Sequence, residues 1–181
     1  MIWRNTQHGY GVVSISLHWL VALVVAEQFV LGLWMVDLGY YHPWYQRAPA
    51  IHKAVGVLLF GVMVVRLLWR YGNPRPAAIG AAAERKAAAW MHGTLYLSIF
   101  TLMLSGYLIS TADGRGINVF GLFSLPATLS GVENQEDIAG KVHQSLAFVL
   151  VALAVLHALA ALKHHFLDHD GTLKRMLGVQ R

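Results

Sequence analysis

Four stretches of the chain, residues 14–36, 52–70, 90–110 and 142–166, are each long and almost wholly apolar. A helix needs about 20 such residues to cross the hydrocarbon core of a bilayer. The expected fold is therefore an all-α integral membrane protein, a bundle of four transmembrane helices in one domain over residues 1–181. Trp34, Trp44, Tyr45, Trp69, Tyr71 and Trp90 flank the stretches, as residues of interfacial belts do. Composition agrees: only 13% of residues are charged and the mean hydropathy is +0.50, where a soluble domain carries roughly a quarter charged residues.

The connections fix an orientation. Residues 71–88 are rich in Pro and Ala and basic, whereas residues 111–141 are longer and hold four of the nine acidic groups, the largest share of any connection. That second connection is too polar to cross a bilayer, although 119–125 could lie on its surface. Of the basic residues, Arg4, Arg66, Arg70, Arg75, Arg85, Lys86, Lys163, Lys174, Arg175 and Arg181 fall on one side, ten against four (Arg47, Lys53, Arg115 and Lys141) on the other. The basic-rich side faces the cytoplasm. Both termini are thus expected there, in a multi-pass protein of a bacterial inner membrane, and the net charge of +5 reflects topology rather than a nucleic-acid partner. The first apolar stretch contains His18, Trp19 and Glu27 and lacks a small-residue cleavage site, unlike a removable signal.

Histidines interrupt this apolar pattern. His52 and His143 open the second and fourth spans at the outer side, so these two can face each other. His157 is 157 − 143 = 14 residues further along the fourth span; at about 100° and 1.5 Å per residue it lies on nearly the same face, about 21 Å deeper. His18, in the first span, and His92, in the third, both enter from the inner side, and either could meet His157. His164 is two further turns inward on almost the same face.

Ionisable groups inside spans are costly and mostly functional. Histidines at a helix end can be excused by snorkelling, but His157 cannot. Two imidazoles from facing helices that give their lone pairs to one iron make a six-coordinate haem with no open position, which suits electron transfer. Two such pairs would form a path across the membrane. The chain has no cysteine, so the haem would be held without thioether bonds. Gly56, Gly61, Gly93, Gly106, Ala158, Ala160 and Ala161 would leave room for porphyrin faces and close helix approach. Glu27 and Gln28 lie near the middle of the first span, where a polar side chain must be paired or face a polar cavity.

The segments SISLHWLVALVV, IHKAVGVLLFGVMVVRLLWR, MHGTLYLSIFTLMLSGYL and VHQSLAFVLVALAVLHALAALKHHF, in this order and spacing, resemble the bacterial cytochrome b561 family. The similarity runs from about residue 14 to 175. The Ser-x-x-x-His-Trp opening, the histidines heading the second and third spans and the His-x13-His-x6-His-His array all occur together. The resemblance implies two b haems, with His18 and His157 on the inner iron and His52 and His143 on the outer one. It also implies membrane lipid and a quinone as partners. One family member similar along the length is a superoxide oxidase, which passes electrons from superoxide at the outer face to ubiquinone.

Lys53, Lys141 and Arg115, near the outer mouth, would attract a small anion. At the inner side His92 and His164 are candidates for quinone binding and proton relay, with Arg66, Arg70 and Lys163 near the same interface. The first alternative is a non-enzymatic electron-carrying subunit that links a partner dehydrogenase or hydrogenase to the quinone pool; a partner redox protein or a second copy of the chain in a homodimer is the corresponding partner expectation. The second is a haem-free proton or metal transporter.

Overall fold

The computed structural model describes residues 2–179; Arg181, counted above, lies outside them. The order of elements is α1 (Val12–Val36), α2 (Arg47–Tyr71), α3 (Ala82–Ser110), β1 (Ile117–Val119), β2 (Phe123–Leu125), α4 (Gln135–Phe166) and a short α5 (Thr172–Met176). The four long helices are each long and apolar enough to cross a membrane. Leu23, Val30, Leu68, Leu97 and Leu104 on these spans are more than half exposed, which suits side chains that face lipid.

Three helices begin earlier than their apolar runs because polar residues can build a first turn. Pro49 falls at the third position of α2, where its missing N–H has no intrahelical partner to lose. In α3 the Glu84 carboxylate accepts a hydrogen bond from the Ala81 N–H at 2.9 Å, a reach-back that satisfies a free N-terminal donor. At α4, Glu136 and Asp137 occupy the first turn and Lys163, His164 and His165 the last, matching the signs of the helix dipole.

The segment at 119–125 folds as part of an antiparallel hairpin, with Ile117 opposite Leu125 and Val119 opposite Phe123. Phe120 and Gly121 both take positive φ at its tip, and Asn118 Oδ1 accepts from the Gly121 N–H at 2.7 Å. Val119 is fully buried beneath, while Phe120 and Leu122 are exposed.

Packing divides the chain into two compact units, and each long helix contributes a part to both. The first unit combines the chain up to Ala22, Val62–Leu97 and the chain from Leu150. Val21, Met63 and Leu150 are buried in it. Its ends are tied together: Trp69 Nε1 donates to Ser14 Oγ at 3.1 Å, Trp19 Nε1 to the Met176 carbonyl at 2.9 Å, and Arg175 Nη1 to the Ala77 carbonyl at 2.7 Å.

The second unit combines Leu23–Gly61 and Ser98–Val149. Ala54, Leu59, Ile99, Ile117 and Val119 are buried there. Edge-to-face pairs of Phe29 with Phe148 and of Phe60 with Phe100, at 5.5 and 5.8 Å, join its helices.

Candidate functional site

Each unit contains one facing pair of imidazoles. In the first, His18 of α1 and His157 of α4 have ring centroids 6.3 Å apart. In the second, His52 of α2 and His143 of α4 are 6.2 Å apart. Two imidazoles bound to opposite sides of one metal, each through a bond of about 2 Å, place their ring centres about 6 Å apart. Both spacings meet that requirement. His92 of α3 also joins the first pair, but at 5.2 Å from the His157 ring it makes direct edge contact and leaves less room for an intervening atom.

The second pair shows how its rings are held. His143 Nδ1 donates to the Leu102 carbonyl at 2.9 Å, with Ser105 Oγ 3.2 Å away. The Ser105 hydroxyl donates to the same carbonyl at 2.8 Å. A proton fixed on Nδ1 leaves the lone pair on Nε2, the arrangement that supporting hydrogen bonds impose on metal-binding histidines. Among the described residues His52 Nδ1 is buried without a hydrogen-bond partner. Gly32 lets the α1 backbone approach His52, since an added Cβ would lie 3.4 Å from its Cε1. Gly56, one turn from His52, opens on space: a Cβ there meets nothing within 4 Å. Donor nitrogens at the right spacing, a fixed tautomer and clear space beside the ring together fit a flat bis-imidazole cofactor.

In the first unit, Arg66 Nη2 donates to His18 Nδ1 at 2.9 Å. The guanidinium groups of Arg66 and Arg70 lie over the Tyr96 ring, 5.5 and 5.4 Å from its centroid. Among the described residues neither arginine forms an ion pair.

His164 sits in a polar cluster of the same unit. Its Nδ1 is 2.8 Å from Asp170 Oδ2 and 3.0 Å from Asp168 Oδ2, and Lys163 Nζ bridges Glu84 and Asp168 at 2.7 and 2.8 Å. Donor atoms of Glu84, His164 and Asp168 lie within 4.8 Å of one another, but the Lys163 ammonium already pairs with both carboxylates. Burial would raise the Asp170 carboxyl, yet hydrogen bonds from the Thr172 N–H and hydroxyl and from His164 hold it below the usual carboxylate range.

Lys53 and Lys141 are exposed near His52 and His143 and make no ion pair among the described residues. Arg115 is instead held by Asp113, Nε to Oδ2 at 2.6 Å. The hydrogen bond and charge of Arg115 keep the Asp113 carboxyl low, and those of Asp113 raise the guanidinium. Glu27 is exposed, whereas Gln28 is buried with both amide atoms unpartnered. Gln28 is four residues from Gly32, on the face of α1 that meets His52. The supporting contacts of Leu102, Ser105 and Tyr96 carried no signal in the histidine pattern. A small polar residue next to Gly106 inside a span was the one cue available for Ser105.

A family model described as prokaryotic cytochrome b561 matches residues 9–179. The chain is 51% identical over 180 residues to "Cytochrome b561 homolog 2" of Escherichia coli (strain K12), covering 98% of this chain and 96% of that protein. It is 28% identical over 170 residues to "Cytochrome b561 homolog 1" of the same organism, covering 91% and 94%. A third relative, "Probable superoxide oxidase CybB" of Yersinia pestis, is 29% identical over 179 residues, covering 95% and 97%. Four membrane-length helices with half-buried imidazoles, and a match over nearly the whole chain, lead to one conclusion: the protein belongs to the prokaryotic cytochrome b561 family of haem b membrane electron-transfer proteins.

Proposed function

We propose that the protein is a dihaem b cytochrome of the bacterial inner membrane, both termini cytoplasmic, that oxidises superoxide at the periplasmic face and reduces ubiquinone in the membrane. The observation that carries the dihaem reading is the pair of imidazole spacings, 6.3 and 6.2 Å, one in each unit. His18 and His157 would hold the inner haem, and His52 and His143 the outer one. Haem b, when bound there, would supply a one-electron couple.

The protein's own residues supply the rest. His143, fixed by the Leu102 carbonyl, presents Nε2 without a search among tautomers. Lys53 and Lys141 give the periplasmic end a local positive potential that draws in a small anion. Two superoxide anions each lose one electron and leave as dioxygen; one ubiquinone takes up the two electrons with two protons. His92, in contact with His157, and His164, with Asp170 behind it, are the candidates to bind the quinone carbonyls and deliver those protons.

A second reading rests on a specific observation. Because Arg115 is paired with Asp113, one of the three basic residues expected to draw in an anion is already neutralised. That favours an electron carrier docked to a partner redox protein. The test is anaerobic: a reduced-minus-oxidised spectrum with haem counted per chain, followed by a superoxide flux with and without ubiquinone. Two haems reduced at once by superoxide, with dioxygen released and quinol accumulating, are expected. Two haems that ignore superoxide but accept electrons from quinol or a partner would move the function to the carrier. An absence of sharp bands on dithionite reduction would eliminate the cytochrome reading.

A further inference from the structure

Arg66 and Arg70 stand one turn apart on α2, both half-buried and both against the same Tyr96 ring. Like charges at this spacing repel, and cations near a membrane interior normally pair with an anion. Among the described residues neither has a carboxylate within ion-pair reach. Tyr96 holds the two groups in place by its ring face, but a neutral ring does not cancel two charges.

The Arg66 contact adds an independent constraint. Guanidinium can only donate, so His18 Nδ1 accepts in the 2.9 Å bond. An imidazole that gives Nε2 to iron keeps its proton on Nδ1 and has nothing left to accept with. Ligation of iron by His18 therefore releases the Arg66 donor to a different acceptor close by.

We propose that Arg66 and Arg70, braced on Tyr96, form a clamp for the two propionate carboxylates of the haem held by His18 and His157. Carboxylates are the groups whose geometry a guanidinium matches bidentately, and haem b carries two of them. Both arginines, Tyr96 and both histidines belong to one compact unit. This inference rests on the dihaem reading above.

The test uses full-length purified protein with two haems counted spectroscopically, and the variants Arg66→Gln, Arg66→Lys and Arg70→Gln. In Arg70→Gln the clamp predicts two retained haems, a lowered midpoint potential for one of them, since a positive charge that favours the reduced iron is gone, and a shifted propionate bending band by resonance Raman. Arg66→Gln should do the same and also weaken occupancy of that haem, while Arg66→Lys should keep most of the potential. Among the described residues the hydrogen bond to His18 comes from Arg66 and not from Arg70, so the Arg70 variant separates the clamp from any disturbance of the ligand. Wild-type potentials and an unmoved propionate band in both glutamine variants would overturn the proposal. Loss of co-purified anionic phospholipid in those variants, read by native mass spectrometry with the haem signals unchanged, would overturn it in favour of a lipid phosphate. A wild-type protein without haem would be seen before any variant is made, and would overturn the dihaem reading together with the clamp.

Discussion

A methyl group added at Gly106 would lie 2.9 Å from His143 Cε1 and 3.2 Å from its Nδ1. No ring at that position can stay bonded to the Leu102 carbonyl without a shift of helix or side chain. Gly106→Ala is therefore expected to cost about 1–3 kcal/mol of overpacking and to lower the occupancy of one haem, measured by thermal denaturation and by a haemochrome assay. Gly39→Ala is the control: it is exposed, its Cβ meets nothing within 4 Å, and both readings should match the wild type. His143→Ala is expected to lose about half the haem while the protein still inserts, because the other pair draws on separate ligands. Retention of both haems in that variant would refute the assignment of His52 and His143.

At the scale of elements, the Tyr107 hydroxyl anchors the long connection between α3 and α4. It donates to the Pro126 carbonyl and accepts from the Thr128 N–H, each at 2.8 Å. Tyr107→Phe should cost about 1 kcal/mol and speed proteolysis within residues 111–134, with the haem spectrum unchanged; unchanged cleavage would show that the hairpin holds the connection by itself. The four spans were legible because about twenty apolar residues leave a chain few options in a bilayer. Their true beginnings were not, since Pro49, Glu84 and Glu136 extend the helices by first-turn tolerance, capping and the helix dipole rather than by hydrophobicity. The hairpin was illegible for a different reason. Three-residue strands owe their pairing to a turn at Phe120 and Gly121 and to the burial of Val119, neither of which alternation reveals. In the candidate site, the stripe shared by His143 and His157 follows from helical period alone. The partner of His157 did not follow, because His18 and His92 both reach it and only ring spacing separates them. The Leu102 carbonyl was beyond reach, since a backbone group has no residue signature.

For the whole molecule, Trp19 in the first half of α1 bonds the Met176 carbonyl near the end of the described residues, which supports the proposal that both termini lie on one side. The chain has no cysteine, which makes the side easy to read by labelling. Ser130→Cys is expected to react with a membrane-impermeant maleimide on intact cells, whereas Gln7→Cys and Lys174→Cys should react only in inverted vesicles. The reverse pattern would invert the proposed orientation and place Lys53 and Lys141 away from any periplasmic donor.

Both imidazole pairs take one member from α4, the last of the long helices to leave the ribosome. A nascent chain with three spans inserted holds half of each pair and completes neither. On the proposed ligand assignment, neither haem can gain its second histidine until α4 is made, and a product cut short before α4 by a premature stop codon is expected to lack the spectrum of a haem held by two histidines.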